Sequence, residues 1–213
     1  MAINRTKYLT PQGKLGWVSL REPDIKFADE SDPNDKGVYK AMLRLPKDDP
    51  STDEFIQTLQ SAFDDFLAEE ERRTGRRVKV HEDGLPWSPE EDRETGEPTG
   101  NILIRTKLKA RVAVKSTGKV FDQRPKAFDA KGKLIEEMPN VGPGSTVKIA
   151  GQINCWHTSK AGMTLWLEAV QILDLVEAGF GGGSAESFGF SELDGYVAET
   201  ENTFEEELGV GDF

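Results

Sequence analysis

Between Arg105 and Arg111 every second residue is a cation, Arg105, Lys107, Lys109 and Arg111, and Lys115 shares their parity with no acid in between. The residues of the other parity are Ile104, Thr106, Leu108, Ala110, Val112 and Val114. A β-strand points successive side chains to opposite faces, so this stretch reads as a strand with one face for a core and a second face carrying cations about 7 Å apart. Solvated strand faces ordinarily mix both signs. A row of one sign fits a polyanion, and its spacing is close to that of successive phosphates on an extended single strand.

A second alternating segment repeats the theme. Val147, Ile149, Ile153 and Cys155 form an inward set, leaving Thr146, Lys148, Gln152, Asn154 and Trp156 outward. Trp17 likewise shares a side with Ser19 and Arg21, and Phe121 follows Lys119 just beyond the turn Ser116-Thr117-Gly118. In Tyr39 to Leu45, the odd positions are apolar and Lys40, Met42 and Arg44 face the other way. A ring on a polar face is either a rim residue covering the core or a platform, and nucleobases lie flat on such rings without sequence preference. Rings and cations on the same faces point to the platform.

The C-terminus carries a third pattern. Glu205-Glu206-Glu207 precedes Leu208-Gly209-Val210-Gly211-Asp212-Phe213, an anionic approach that ends in an aromatic ring beside its own carboxylate. Such a segment suits capture by a basic, apolar pocket on another protein. Its acids could also lie over the chain's own basic face.

Overall charge conceals this division. The net charge is −11, yet no Lys or Arg follows Lys160, and residues 101–160 hold 12 basic against 4 acidic side chains. A basic region within a nearly neutral body, followed by an acidic tail, is a pointer to a nucleic-acid partner. One cysteine, Cys155, excludes an internal disulfide and suggests a reducing compartment. No apolar run is long enough for a membrane helix, nor is there a signal-like start, so an intracellular, cytoplasmic protein is expected.

Mostly strands must position these residues. Lys14–Arg21, Tyr39–Leu45 and segments near 101–115, 146–156 and 163–175 read as strands. One helix follows Pro46: Ser51 or Thr52 can cap it, Phe55, Ile56, Leu59, Phe63, Phe66 and Leu67 recur at helical spacing, and Arg72, Arg73 and Gly75 close it. Glu69-Glu70-Glu71 reads as a solvated helix end. Residues 82–100 read as an acidic inserted loop that Trp87 pins to the body. The expected fold is mainly β: an OB-fold-like (oligonucleotide/oligosaccharide-binding) Greek-key β-barrel with one inserted α-helix over residues 1–178. Residues 179–213, opening on Gly179-Phe180-Gly181-Gly182-Gly183-Ser184, read as a glycine-rich linker and a disordered acidic tail.

The body, the linker and the ending Asp212-Phe213 together resemble the bacteriophage single-stranded DNA-binding proteins. Leu15-Gly16-Trp17-Val18-Ser19-Leu20 and Val38-Tyr39-Lys40-Ala41-Met42-Leu43 are similar to phage members of that group. The resemblance implies an OB-fold, sequence-independent binding of single-stranded DNA in replication, recombination and repair, and a tail that recruits partner enzymes such as a polymerase, helicase or nuclease. The site residues come from parity and charge: Arg105, Lys107, Lys109, Arg111, Lys115, Lys148, Lys40 and Arg44 for phosphates, and Trp17, Trp156 and Phe121 for bases. Glu205, Glu206, Glu207, Asp212 and Phe213 are the partner-binding tail. A protein-interaction or assembly factor acting through that tail, and an RNA-binding OB protein, are the alternatives. No phosphate-binding Gly-Lys loop or nucleophile elbow is present. Cys155 and His157 make only half a zinc site, and Asp64-Asp65 and Glu90-Glu91 read as solvated surface pairs. Neither an enzyme nor a cofactor is expected. Self-association is left open.

Overall fold

The structure is a computed structural model, and residues 6–29, 31–114 and 117–178 are described. The elements in the first half of the chain are β1 (Lys7–Leu9), β2 (Gly13–Asp24), β3 (Val38–Pro46), α1 (Pro50–Thr74) and β4 (Trp87–Glu91). They are followed by β5 (Pro98–Lys109), β6 (Arg111–Ala113), β7 (Val120–Asp122), β8 (Lys126–Phe128), β9 (Leu134–Ile135), β10 (Thr146–His157) and β11 (Ala161–Asp174). The mainly β expectation holds.

Alternation drives the architecture. Each long strand must hide one face, and five of them do so by closing on one another: β2 pairs β3, β3 pairs β5, β5 pairs β11, β11 pairs β10, and β10 returns to β2. Every contact in this ring is antiparallel except β5–β11, which is parallel. Closure removes the exposed sheet edges and leaves a lumen that side chains fill, the order and mixed pairing being those of an OB-fold barrel. Leu15, Leu43, Leu45, Ile104, Val147, Ile149, Leu165, Leu167 and Val170 are fully buried there. Thr106, the polar member of the inward set on β5, is 3% exposed and donates its hydroxyl to the Ala41 carbonyl at 3.0 Å.

The helix lids one end. Phe55, Leu59 and Phe63 are buried, and Ile56, Phe66 and Leu67 pack against the same core. Its N-cap is Asp49, not Ser51 or Thr52: the Asp49 carboxylate accepts from the Ser51 amide at 2.8 Å and Pro50 takes the first turn, where a missing N–H is harmless. Gly75 closes the helix in the left-handed region, as its position after Arg72 and Arg73 predicts. Glu69-Glu70-Glu71 is more than a solvated end. Glu69 pairs with Arg72, Glu71 accepts the Val78 amide, and Glu70 binds both Arg73 and His157 of β10.

Two other expectations change. Residues 82–100 are not a loop: β4 and β5 form an antiparallel hairpin, with Trp87 opposite Ile104 and packed on the core. The expected strand over 101–115 breaks at Ala110. Its partner β3 starts at Val38, opposite Lys109, so β5 has nothing left to pair beyond that point. The chain then turns, Ala110 hydrogen-bonding to Gly37 and Gln123, and Arg111–Ala113 joins β7 in a separate two-stranded ribbon. Residues from Gly179 onward, including Glu205, Glu206, Glu207, Asp212 and Phe213, lie outside the described residues, as does Lys115.

Candidate nucleic-acid interface

The outward faces of β2, β3, β5 and the β10–β11 hairpin meet in a groove of about 380 Å³. Ala41, Met42, Thr106 and Met163 contribute to its floor, and Trp17, Lys40, Arg105, Lys107 and Trp156 stand around it. Five of the residues selected by parity and charge therefore share one surface, although they come from four different strands.

The two tryptophans reach it by different devices. Along β2, Leu15 pairs with Leu43 and Val18 with Ala41, so β2 carries one residue more than β3 between those points. This is a β-bulge, which re-aims side chains locally. It lets Leu15 and Leu20, of opposite parity, both be buried while Trp17 stays 62% exposed. A Cβ on Gly16 would come within 2.8 Å of Met42 Cε, so the Met42 side chain fills the space that glycine leaves beside the bulge. Trp156 is half-buried and lies across Gly162, its register partner on β11. A Cβ on Gly162 would overlap the indole, 2.7 Å from both Cε2 and Cη2. The indole Nε1 donates to Thr164 Oγ1 at 3.3 Å, and His81 tilts against the ring at 6.5 Å. Ring plane and edge are thus both held.

The cations differ in how free they are. Arg105 Nη1 donates to Ser88 Oγ at 2.7 Å and Nη2 to the Leu85 carbonyl at 3.0 Å. These neutral acceptors orient the guanidinium without cancelling its charge. Lys107 has no ion pair among the described residues and stands directly opposite Lys40 across β3–β5. Like charges facing each other across a sheet are destabilising, so this pair wants an anion. Lys40 has one, Asp24, at 2.8 Å. The hydrogen bond from Lys40, followed by that from the Lys26 amide, holds the Asp24 carboxyl below the usual carboxylate range. Asp83 is the acidic residue lining the groove. Lys109 continues the row one pleat beyond Lys107, about 7 Å on.

The remaining parity choices are not brought here. Arg44 is tied to Glu90 at 2.6 Å. Burial pushes the Glu90 carboxyl up, but hydrogen bonds from Arg44, Asn101 and Thr99 outweigh it and keep it ionised, so Glu90 is an ion-pair anchor and not a solvated surface acid. Arg111 forms a two-point pair with Asp122 at 2.6 and 3.1 Å in the β6–β7 ribbon, where Phe121 is 51% exposed. Lys148 is on the outward side of β10, roughly 26 Å along the strand from Trp156, and does not line the groove. His157 Nδ1 is 2.7 Å from Glu70, and burial pushes the Cys155 thiol up to about 11. Sequence reasoning missed Leu85, Pro86 and Met163 as lining residues. Trp166, opposite Lys107 on β11, sits between the buried Leu165 and Leu167 and does not line the groove.

A five-stranded OB barrel with rings and cations around a groove on the β3–β5 face belongs to the class whose second and third barrel strands carry oligonucleotide or oligosaccharide sites. The family model described as "Single-stranded DNA-binding protein, Bacteriophage T7" matches residues 14–175, and the chain belongs to that family. It is 28% identical over 195 residues to the single-stranded DNA-binding protein of Escherichia phage T7, covering 85% of this chain and 80% of that protein. The crystal structure of gp2.5, a single-stranded DNA-binding protein encoded by bacteriophage T7, superposes with a TM-score of 0.63 at 25% identity, covering 92% of this chain and all of that one. The single-stranded DNA-binding protein of bacteriophage Enc34, solved in complex with ssDNA, shares the fold at 13% identity, with a TM-score of 0.54 over 82% of this chain and 89% of that one.

Proposed function

We propose that the protein binds single-stranded DNA without sequence preference and without catalysing a reaction, coating it during phage DNA replication, recombination and repair in the host cytoplasm. The observation that carries this reading is the groove in which Trp17 and Trp156 stand with Lys40, Arg105 and Lys107 around an apolar floor. Rings of this kind need open base faces, and a duplex hides those faces in its stack, so the arrangement favours a single strand. Lys40, Arg105 and Lys107, continued by Lys109, take phosphates; Trp17 and Trp156 take bases. Arg44, Arg111, Lys148 and Phe121 do not line the groove, so these contribute less. Family membership over residues 14–175 supports the same reading.

Residues 1–178 form the binding domain in this proposal, and 179–213 form a tethered acidic segment that competes with DNA for the groove and presents Phe213 to partner enzymes. The test is a mobility-shift comparison of single-stranded DNA, duplex DNA and RNA of equal length. Preferential retardation of the DNA single strand, independent of sequence, is expected. Equal or tighter binding of duplex removes the stacking argument, and preference for RNA transfers the groove to that ligand.

A further inference from the structure

Between β2 and β3 the chain makes a turn, Ala28 N–H donating to the Ile25 carbonyl at 3.0 Å, which presents Lys26 and Phe27 at its tip. Phe27 is 82% exposed, the most exposed large apolar side chain among the described residues. The turn is not slack. Asp35 accepts the amides of Asp29 and Gly37, and Asp24 accepts that of Lys26, so the segment is braced by its own carboxylates. Two ammonium groups stand over the Phe27 ring, Lys26 Nζ at 5.5 Å and Lys40 Nζ at 5.8 Å from its centroid. Lys40 is also a wall of the groove and the partner of Asp24. One ammonium therefore touches an open ring, an internal carboxylate and the groove at once.

We propose that Phe27, Lys26 and Lys40 form an additional nucleotide subsite at the β2–β3 end of the groove, in which a base lies on the Phe27 ring and its phosphate takes Lys40 from Asp24. The proposal rests on the single-stranded DNA reading above and adds to it a place and an exchange. An exposed ring between two cations offers a flat apolar face beside positive charge, which is the chemistry of one nucleotide. The Asp24 carboxylate occupies in the empty protein the position a phosphate oxygen takes in the complex. It keeps Lys40 ordered and opposes its repulsion with Lys107 across the strands. Binding there is an anion-for-anion exchange, so this subsite fills only when a base also gains the ring.

The experiment titrates the full chain with oligothymidylates of increasing length, following affinity by fluorescence anisotropy of a 5′ dye. Phe27→Ala is expected to weaken binding of long oligomers about fivefold, and to shorten by one nucleotide the length at which affinity levels off. Phe27→Tyr is expected to restore both. Asp24→Asn is expected to tighten binding and to steepen the salt dependence by up to about 0.7 in log–log slope, because Lys40 then meets the phosphate unpaired. Melting temperature should be unchanged in Phe27→Ala, since the ring covers no core. If the wild-type chain binds no oligothymidylate, the single-stranded DNA reading itself fails. If it binds and Phe27→Ala gives the same plateau length and affinity, the subsite alone is overturned. Weaker binding by a folded Asp24→Asn variant overturns the exchange.

Discussion

Gly162→Ala puts the stacking role of Trp156 to the test without touching the ring. The added Cβ would stand 2.7 Å from two indole atoms and overlap a third, so the ring must move by about 1 Å to recover ordinary contact. One side of the indole faces the groove and can yield, which keeps the folding cost near the low end of the about 1–3 kcal/mol typical of overpacking. A stacked base is worth about 1–3 kcal/mol, and a tilted platform loses part of that. Affinity for oligothymidylate is therefore expected to fall about five- to tenfold, which is about 1–1.4 kcal/mol. Trp156→Ala is expected to cost about 1–3 kcal/mol of binding. The deciding measurement is the double variant. Because Gly162 acts only through the ring, Gly162→Ala should have no further effect on binding in the Trp156→Ala background, a coupling as large as the single effect. Additive losses, or a lowered melting temperature with unchanged binding, would refute the assignment of Trp156 as a platform.

Binding should depend steeply on salt: phosphates held by Arg105, Lys107, Lys109 and Lys26 give a log K against log salt slope of about −2.8, Lys40 adding little while it exchanges one anion for another. Lys107→Ala should reduce that slope by about 0.7 while leaving the melting temperature unchanged or slightly raised, since it removes a facing like charge. Deletion of residues 180–213 should tighten single-stranded DNA binding several-fold at low salt, with a gain that fades as salt screens the tail, whereas Phe213→Ala should leave DNA affinity unchanged and abolish partner binding. Weaker DNA binding by the truncated chain at every salt concentration would contradict the competition. Arg73 and then His157 hold the Glu70 carboxyl down at about 2, against 4.5 for the free group. A depressed carboxylate stabilises the fold above its unfolded pKa, so the stability gap between wild type and Glu70→Gln should be full at neutral pH and close as pH falls from about 4.5 towards 2. A gap that persists undiminished at the acid end would show that Glu70 acts by packing and not by charge.

How legible this molecule is in its sequence depends on whether a neighbour intervenes. Tyr39 to Leu45 and Val147 to Cys155 alternate because one face of each is sealed in the barrel, and a one-residue slip would turn every apolar side chain to solvent. Parity alone therefore puts Lys40, Lys107 and Trp156 on the side that lines the groove. The same rule fails at Ala110, where β5 ends because β3 has run out of residues, a fact belonging to another part of the chain. It fails again in β4, where Ser-Pro-Glu-Glu looks like a loop but is held as an edge strand by β5. At Trp17 the pattern gives the right side for an incomplete reason, since Leu15 and Leu20 can both be buried only through the bulge. Charge is the least legible quantity. Arg44, Arg111 and Lys107 look alike in a row of letters, yet Glu90 and Asp122 neutralise the first two, and neither partner is near them in sequence.

The parallel β5–β11 contact sets the order in which the protein becomes usable. Trp17 and Lys40 leave the ribosome early, whereas Trp156, Met163 and Thr164 lie on the last two strands, which close the ring. Pairings this distant along the chain form late, after the loop-closure entropy has been met. A nascent or prematurely ended chain thus carries half a groove: cations and one ring, but no opposite wall. It can touch nucleic acid electrostatically and cannot cradle a strand. Tight binding is in this way a property of chains long enough to close the ring, and copies that end before Thr146, close to neutral in net charge, would not compete for the same site.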